Sequence, residues 1–340
     1  MPRFMKHSFF ELSLITGIFI MSIGNASGQS DHLNSGNSNG SRPTIEDVLK
    51  ENPPVLRIGL LEGFERVDFH LNGLFDITDL SGNLIYKDLE SELRWRSKIE
   101  QSKPSRFIYR VLLKSYTDKV KADSVSSSLA QKGYPAHVLE IGDQQTINGN
   151  TSVDSRKYRV VLGAFSGEDE CKRYIDEFSD EYSPRIIREI QVPCSGQIEF
   201  YDAEYDRSGI VEDGFRIVPL DDDGYITLFN VRVGTGFHWE KAIQRKYPGI
   251  IEIRIDHEGK LSAINEVQID QYLKGVVPSE MPAGYPKEAL KAQAVAARSD
   301  ALSKIFAKHV NDPYHLCANV HCQVYSGITD YDERTSLAVE

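Results

Sequence analysis

The sequence predicts an α+β, multi-domain protein, with a β-rich module, a helical segment near its C-terminal end, and a small domain of two βαβ repeats. Three observations carry this. Short apolar runs such as Val55–Leu61 and Gly249–Ile255 recur between turn residues. A strand–helix–strand pattern appears twice within 106–190. An Ala-rich stretch, 287–308, has one apolar stripe. A chain of 340 residues is long enough for two or three domains with a sizeable core.

Composition narrows the function classes. Hydrophobic residues at 40% and charged residues at 26% are those of a folded protein. A net charge of −11 argues against a generic nucleic-acid binder. Four Cys are too few for a disulfide scaffold.

The first residues read as an address. Arg3 and Lys6 precede the apolar run Leu12–Ile23, whose 12 residues are too short to span about 30 Å of hydrocarbon. Ala26-Ser27-Gly28 then fits a small-x-small cleavage site, so 1–28 is expected to be a signal peptide. A buried N-terminal helix competes, because Glu11 borders the run. Removal of the signal would leave a protein that is not membrane-spanning, exported to a periplasm or cell envelope. Residues 29–46, rich in Ser, Asn and Gly, read as a flexible linker. Residues 47–105 are expected to be β-rich, with a hairpin at Leu80–Tyr86 around Gly82 and Asn83.

Residues 106–190 hold the repeat. Tyr109–Tyr116 aligns with Tyr158–Phe165 at an offset of 49, and each strand leads through a polar turn to a helix. Val125 and Leu129 mark the first helix, Tyr174 and Phe178 the second. The helices should cover one face of an antiparallel sheet. The pattern, with Gly133-Tyr134-Pro135-Ala136-His137-Val138 and Leu162-Gly163-Ala164-Phe165, resembles the SPOR domain family. That resemblance implies binding to peptidoglycan glycan strands stripped of stem peptides. Lys114 stands where the second unit has Gly163, a departure from the pattern.

Residues 191–275 return to strands. Asp221-Asp222-Asp223-Gly224 lacks the spacing of a calcium loop and reads as a hairpin turn. Gly234–Glu240 lacks the third Gly of a dinucleotide fingerprint. Strands around 249–255 and 260–267 flank another turn.

Chemistry concentrates after Gln268. Asp270 can cap a short helix, which runs into Pro278-Ser279-Glu280-Met281-Pro282. A carboxyl group at a rigid, partly apolar turn would be desolvated, as a general acid requires. A helix-end Glu in water is the alternative. Pro286 then suits the first position of a helix. Its apolar stripe is Leu290, Ala294, Ala297, Ala301 and Ile305, with Lys287, Lys291 and Arg298 on another side. Those cations are either a solvated face or part of a site. Further on, Cys317 and Cys322, with His321 adjacent and His309 and His315 nearby, form a soft N/S set suited to zinc. A Cys317–Cys322 disulfide competes in an oxidising compartment. Cys171 and Cys194 read as one buried and one loop thiol.

Gln271–Pro282, Ala289–Arg298 and His321–Gly327, in this order and spacing, closely resemble the SpoIID/LytB family over roughly 265–340. By this resemblance 191–340 is a SpoIID/LytB domain, 47–105 its upstream β segment, and the SPOR-like unit an insert. The family's sporulation protein is a lytic transglycosylase, and its relatives were first described as amidase enhancers. The resemblance implies cleavage of glycan strands to 1,6-anhydro-muramic ends, with Glu280 catalytic and Lys291 and Arg298 supporting it. It implies a structural zinc on Cys317, Cys322 and either His309 or His321. Arg298-Ser299-Asp300-Ala301 departs from the family's Arg-Thr-Tyr-Ala, and the chain stops where a C-terminal sheet is expected. The expected partners are peptidoglycan glycan strands and, on the alternative reading as a non-catalytic enhancer, a cell-wall amidase, with no nucleic acid.

Overall fold

In the computed structural model the described residues are 54–142, 144–147, 151–154, 156–234, 236–238, 240–305, 308–309 and 311–340. The expected signal peptide and linker lie outside them. Two large sheets face each other across the core. The first has seven strands in the order Leu316–Cys317, Val55–Phe64, Leu261–Gln268, Ile250–Ile255, Gly214–Pro219, Phe75–Asp79 and Leu84–Leu89. The second has six, ordered Ser208–Glu212, Ser195–Asp202, Arg94–Lys103, Arg66–Asn72, Tyr225–Val233 and Lys241–Pro248. Alternation decides which side chains enter the core. Phe69, Trp95, Phe200 and Leu228 point inward from the six-stranded sheet, and Phe200 stacks on Phe215 of the other sheet at 4.7 Å.

The expected hairpins at Leu80–Tyr86 and Gly249–Val267 form. The turn at Asp221–Gly224 differs from expectation, because it joins a strand of one sheet to a strand of the other. Gly224 N–H donates to the Asp221 carbonyl, and the Asp221 side chain accepts from Leu74 N–H at 2.9 Å. The tight turn is local chemistry, while the sheet switch is set by the core.

The repeat-bearing unit leaves the six-stranded sheet after Lys103 and returns at Ser195, the residue paired with it. Its four-stranded antiparallel sheet runs Arg185–Val192, Arg106–Tyr116, Lys157–Phe165, Ala136–Ile141. Helices α1 (Lys119–Gln131) and α2 (Glu168–Phe178) bury Leu129, Tyr174 and Phe178 against Val111, Leu113, Val160 and Leu162. Asp118 caps α1 by accepting from Val120 and Lys121 N–H. Gly163 has φ +68°, and a Cβ there would meet the Phe165 ring at 2.0 Å. Lys114 meets no such restriction on its own strand, which accounts for the departure between the repeats.

Three helices follow the last long strand: α3 (Ile269–Glu280), α4 (Lys287–Lys304) and α5 (Glu333–Val339). The predicted stripe is the buried side of α4, with Leu290, Ala294, Ala297, Ala301 and Ile305 all at 3% exposure or less. Pro286 is the N-cap rather than the first helical residue, and the helix ends at Lys304. The cap of α3 is Gln268, not Asp270, because the helix grows directly out of the preceding strand.

Candidate active site and metal centre

Glu280 is the last residue of α3. The expected desolvated turn does not form: Pro278 lies within the helix, chain direction changes only at Met281, and Glu280 is exposed. The helix-end alternative describes it. Its Oε1 accepts a hydrogen bond from Val324 N–H at 2.9 Å. At a helix C-terminus, where the macrodipole is negative, that donor offsets an unfavourable field.

Val324 is presented by a strap, His321–Gly327, laid across α3 and α4. Gln323 is buried; its amide accepts from Tyr272 O–H at 2.9 Å and donates to the Ala297 carbonyl at 3.1 Å. Tyr325 is fully buried, donating to Asn265 at 2.8 Å while its carbonyl accepts from Arg245 at 2.6 Å. Ser326 and Ser279 hydroxyls converge on the Gly275 carbonyl. A Cβ on Gly275 would lie 2.5 Å from the Gly327 carbonyl oxygen and 2.7 Å from the Tyr325 ring. Gly327 itself has φ +63°. The two glycines allow backbone to pass over backbone.

Lys291 and Arg298, expected to support Glu280, each pair with another carboxylate. Arg298 pairs with Asp270 at 2.7 Å and reaches the Val339 carbonyl at 3.4 Å. Asp270 and Glu280 are ten residues apart, about 15 Å along α3. Lys291 is 46% exposed and 3.9 Å from Glu288, a helix-surface pair of small worth. Asp300, at the departure from the family's Arg-Thr-Tyr-Ala, pairs with Lys304 at 2.5 Å, and Lys304 donates to the Cys322 carbonyl.

On the strap's other side, His309, Cys317, His321 and Cys322 converge, with ligand atoms all within 4.8 Å of one another. Cys317 Sγ is 3.6 Å from His321 Nδ1; Cys322 Sγ is 3.4 Å from His309 Nε2 and 3.7 Å from His321 Nδ1. A tetrahedral zinc with bonds of ~2.3 Å to sulfur and ~2.0–2.1 Å to nitrogen sets S···N edges of about 3.5 Å. The donor set therefore fits such an ion. Both thiols are free. A hydrogen bond from Cys317, and then His309, draw the Cys322 thiol below the ordinary thiol range despite burial. The same hydrogen bond and burial hold Cys317 far above the ordinary thiol range. The direction at Cys322 favours the thiolate, the form that binds metal.

Supporting residues outside the motif complete the cluster. Asp312 bonds His309 Nδ1 at 2.8 Å, fixing the ring with Nε2 toward the sulfurs. Burial opposes ionisation of Asp312, but His257 and His309 hold its carboxyl well below the usual range. Asn319 accepts from Cys317 Sγ and His321 N–H. The loop is tied to the first strand, where His315 N–H donates to the Arg57 carbonyl at 2.8 Å and Arg57 N–H donates to His315 Nδ1 at 3.0 Å. His315 is therefore a structural residue, outside the ligand cluster. Cys171 is buried in α2, and Cys194 is half-buried with its Sγ 3.5 Å from the Ile255 carbonyl.

Comparison with known proteins places this site within one family's region. Residues 257–340 match the SpoIID family, described as stage II sporulation protein. An uncharacterized protein of Brachyspira hyodysenteriae is 41% identical over 73 residues, covering 22% of this chain and 20% of that one. The chain thus matches only about a fifth of that curated relative's length. A crystal structure of a Burkholderia pseudomallei protein described as exported aligns with a TM-score of 0.24 at 12% identity, over 48% of this chain and 26% of the other. A likeness that small says nothing about fold or function.

Proposed function

We propose that the protein is an exported lytic transglycosylase that cleaves peptidoglycan glycan strands, preferring strands without stem peptides. A cell-wall role follows from the SpoIID match over 257–340. No helix among the described residues is long and apolar enough to cross a membrane. The observation that carries the catalytic reading is Glu280, an exposed carboxyl group aimed by one backbone N–H on the family-like strap.

Glu280 protonates the glycosidic oxygen between N-acetylmuramic acid and N-acetylglucosamine, breaking the bond to muramic C1. As carboxylate it then takes the proton of the muramic C6 hydroxyl, and that oxygen closes on C1 as a 1,6-anhydro end. No water is consumed, so one carboxyl group serves both steps, where ordinary glycosidases need two. Exposure suits this role, because a glycan strand itself supplies the desolvation on binding. Lys291, with its ammonium in solvent, is available to the sugar or its anionic groups; Arg298 holds α3 to α4. Zinc on His309, Cys317, His321 and Cys322 would be structural, fixing the strap that presents Val324 N–H. The unit at 106–190 would add glycan binding of the SPOR kind.

A second reading is a non-catalytic glycan-binding enhancer of a cell-wall amidase. It draws on the pairing of Arg298 with Asp270, about 15 Å along α3 from Glu280. Zymography of the full-length protein on denuded glycan separates the two: clearing supports the transglycosylase, and binding without clearing supports the enhancer.

A further inference from the structure

We infer that the outer face of the six-stranded sheet is a further glycan-binding surface, built for an acidic polysaccharide. The inference rests on the cell-wall reading above and adds a site that neither the strap nor the repeat unit supplies. It starts from an alternation in strand Arg94–Lys103. Trp95 and Ser97 are fully buried, while Arg94, Arg96 and Lys98 face outward. Cross-strand register sets these beside Arg66 and Asp68 on one neighbour and Glu199 and Tyr201 on the other.

The charges there exceed what folding needs. Asp68 is buried and pairs with three guanidinium groups, Arg66 at 3.3 Å, Arg94 at 3.3 Å and Arg96 at 3.0 Å. Its two oxygens take about four donors between them, and each guanidinium carries five. Three leave donor edges over, and each of these arginine side chains is 38–51% exposed. Lys98 pairs with Glu199 and stays 44% exposed. Four cations thus share two carboxylates on one face, in a protein whose net charge is −11.

Aromatic rings accompany them. Tyr201 and Tyr205 stack with centroids 4.3 Å apart and planes 12° from parallel, and Tyr205 is 63% exposed. Tyr205 holds this position at φ +59°, a conformation uncommon for a bulky side chain. Asn would serve the turn better, so the ring is not there for the turn. Arg94 lies over Phe229 at 3.9 Å. Open aromatic faces suit the apolar face of a pyranose, and guanidinium forks suit carboxylates. Spaced carboxylates on a sugar polymer match both. The same sheet's edge strand Lys241–Pro248 bonds Ile328 N–H and the Thr329 hydroxyl, directly after the strap. A bound strand would therefore be held on the module that carries Glu280.

The test measures binding with chemistry switched off. Full-length protein bearing Glu280→Gln is titrated onto denuded glycan, whose muramic residues carry free carboxylates, and onto chitin, which is uncharged. Denuded glycan should bind more tightly, and the gap should narrow as salt rises. Arg94→Gln with Lys98→Gln leaves Arg66 and Arg96 on Asp68. It should weaken denuded-glycan binding roughly three- to tenfold, as for two exposed ion pairs, and leave chitin unchanged. Tyr205→Asn should weaken both polymers while relaxing the backbone. Unchanged binding by these variants would overturn the inference, as would equal losses on both polymers from the charge variant, or single-stranded DNA outcompeting glycan. None of these outcomes touches the catalytic reading, which is judged by the ends formed in the active protein.

Discussion

Glu280 and the Cys/His cluster are served by the same loop, residues 317–327, and are built in opposite ways. The cluster is dense: four ligand atoms within 4.8 Å, two buried cysteines, and Asp312 and Asn319 fixing ring and thiol. Glu280 is open, with one backbone donor and no side-chain hydrogen-bond partner among the described residues. A structural ion gains from closure, since each bond that orients a ligand raises affinity. A general acid needs an open face, because substrate must reach its proton. The loop spends its rigidity at one end to aim a donor at the other.

Glu280→Gln keeps the Val324 contact and removes the transferable proton. Anhydro product should fall by roughly 10²–10⁴-fold with glycan binding kept, read from product yield and co-sedimentation. Cys322→Ser should take zinc from about one per chain toward none and lower the thermal midpoint, followed by metal analysis and melting. A full complement of zinc in that variant would make the cluster a polar cage with another purpose. Asp312→Asn touches only the support, and should weaken zinc about 10–100-fold in a chelator competition while leaving the ligands in place. Gly275→Ala forces the strap off α3 and should cost ~1–3 kcal/mol in denaturant unfolding. Arg298→Gln should change stability by about 1 kcal/mol and product yield only slightly, because the Arg298–Asp270 pair is only partly exposed and lies about 15 Å along α3 from Glu280. A hundredfold loss of product there would place Arg298 at the substrate.

Sequence reasoning reached the cluster because its chemistry is local: Cys317, His321 and Cys322 lie on one short loop, and only His309 comes from outside. It reached the α4 stripe because helical periodicity alone fixes it. It misjudged the setting of Glu280, since Pro278 sits within a helix held by tertiary contacts from Gln323 and Tyr325. Asp312 and Val324 N–H were not legible, because a short acidic residue near His309 and a backbone donor have no motif of their own. Nor was the placing of the N-terminal strand, where Val55 pairs with Gln268 across most of the chain. Arg57 shows why: its guanidinium bridges Glu252 and Glu266, partners about two hundred residues away.

The central claim is that a single carboxyl group, Glu280, breaks the strand without water. Digesting denuded glycan with the full-length protein in heavy-oxygen water, and weighing the new muramic ends, tests it directly. The account predicts 1,6-anhydro ends carrying no label. Labelled reducing ends would mean hydrolysis with a second carboxylate and an activated water, and no new ends at all would mean that the protein only binds.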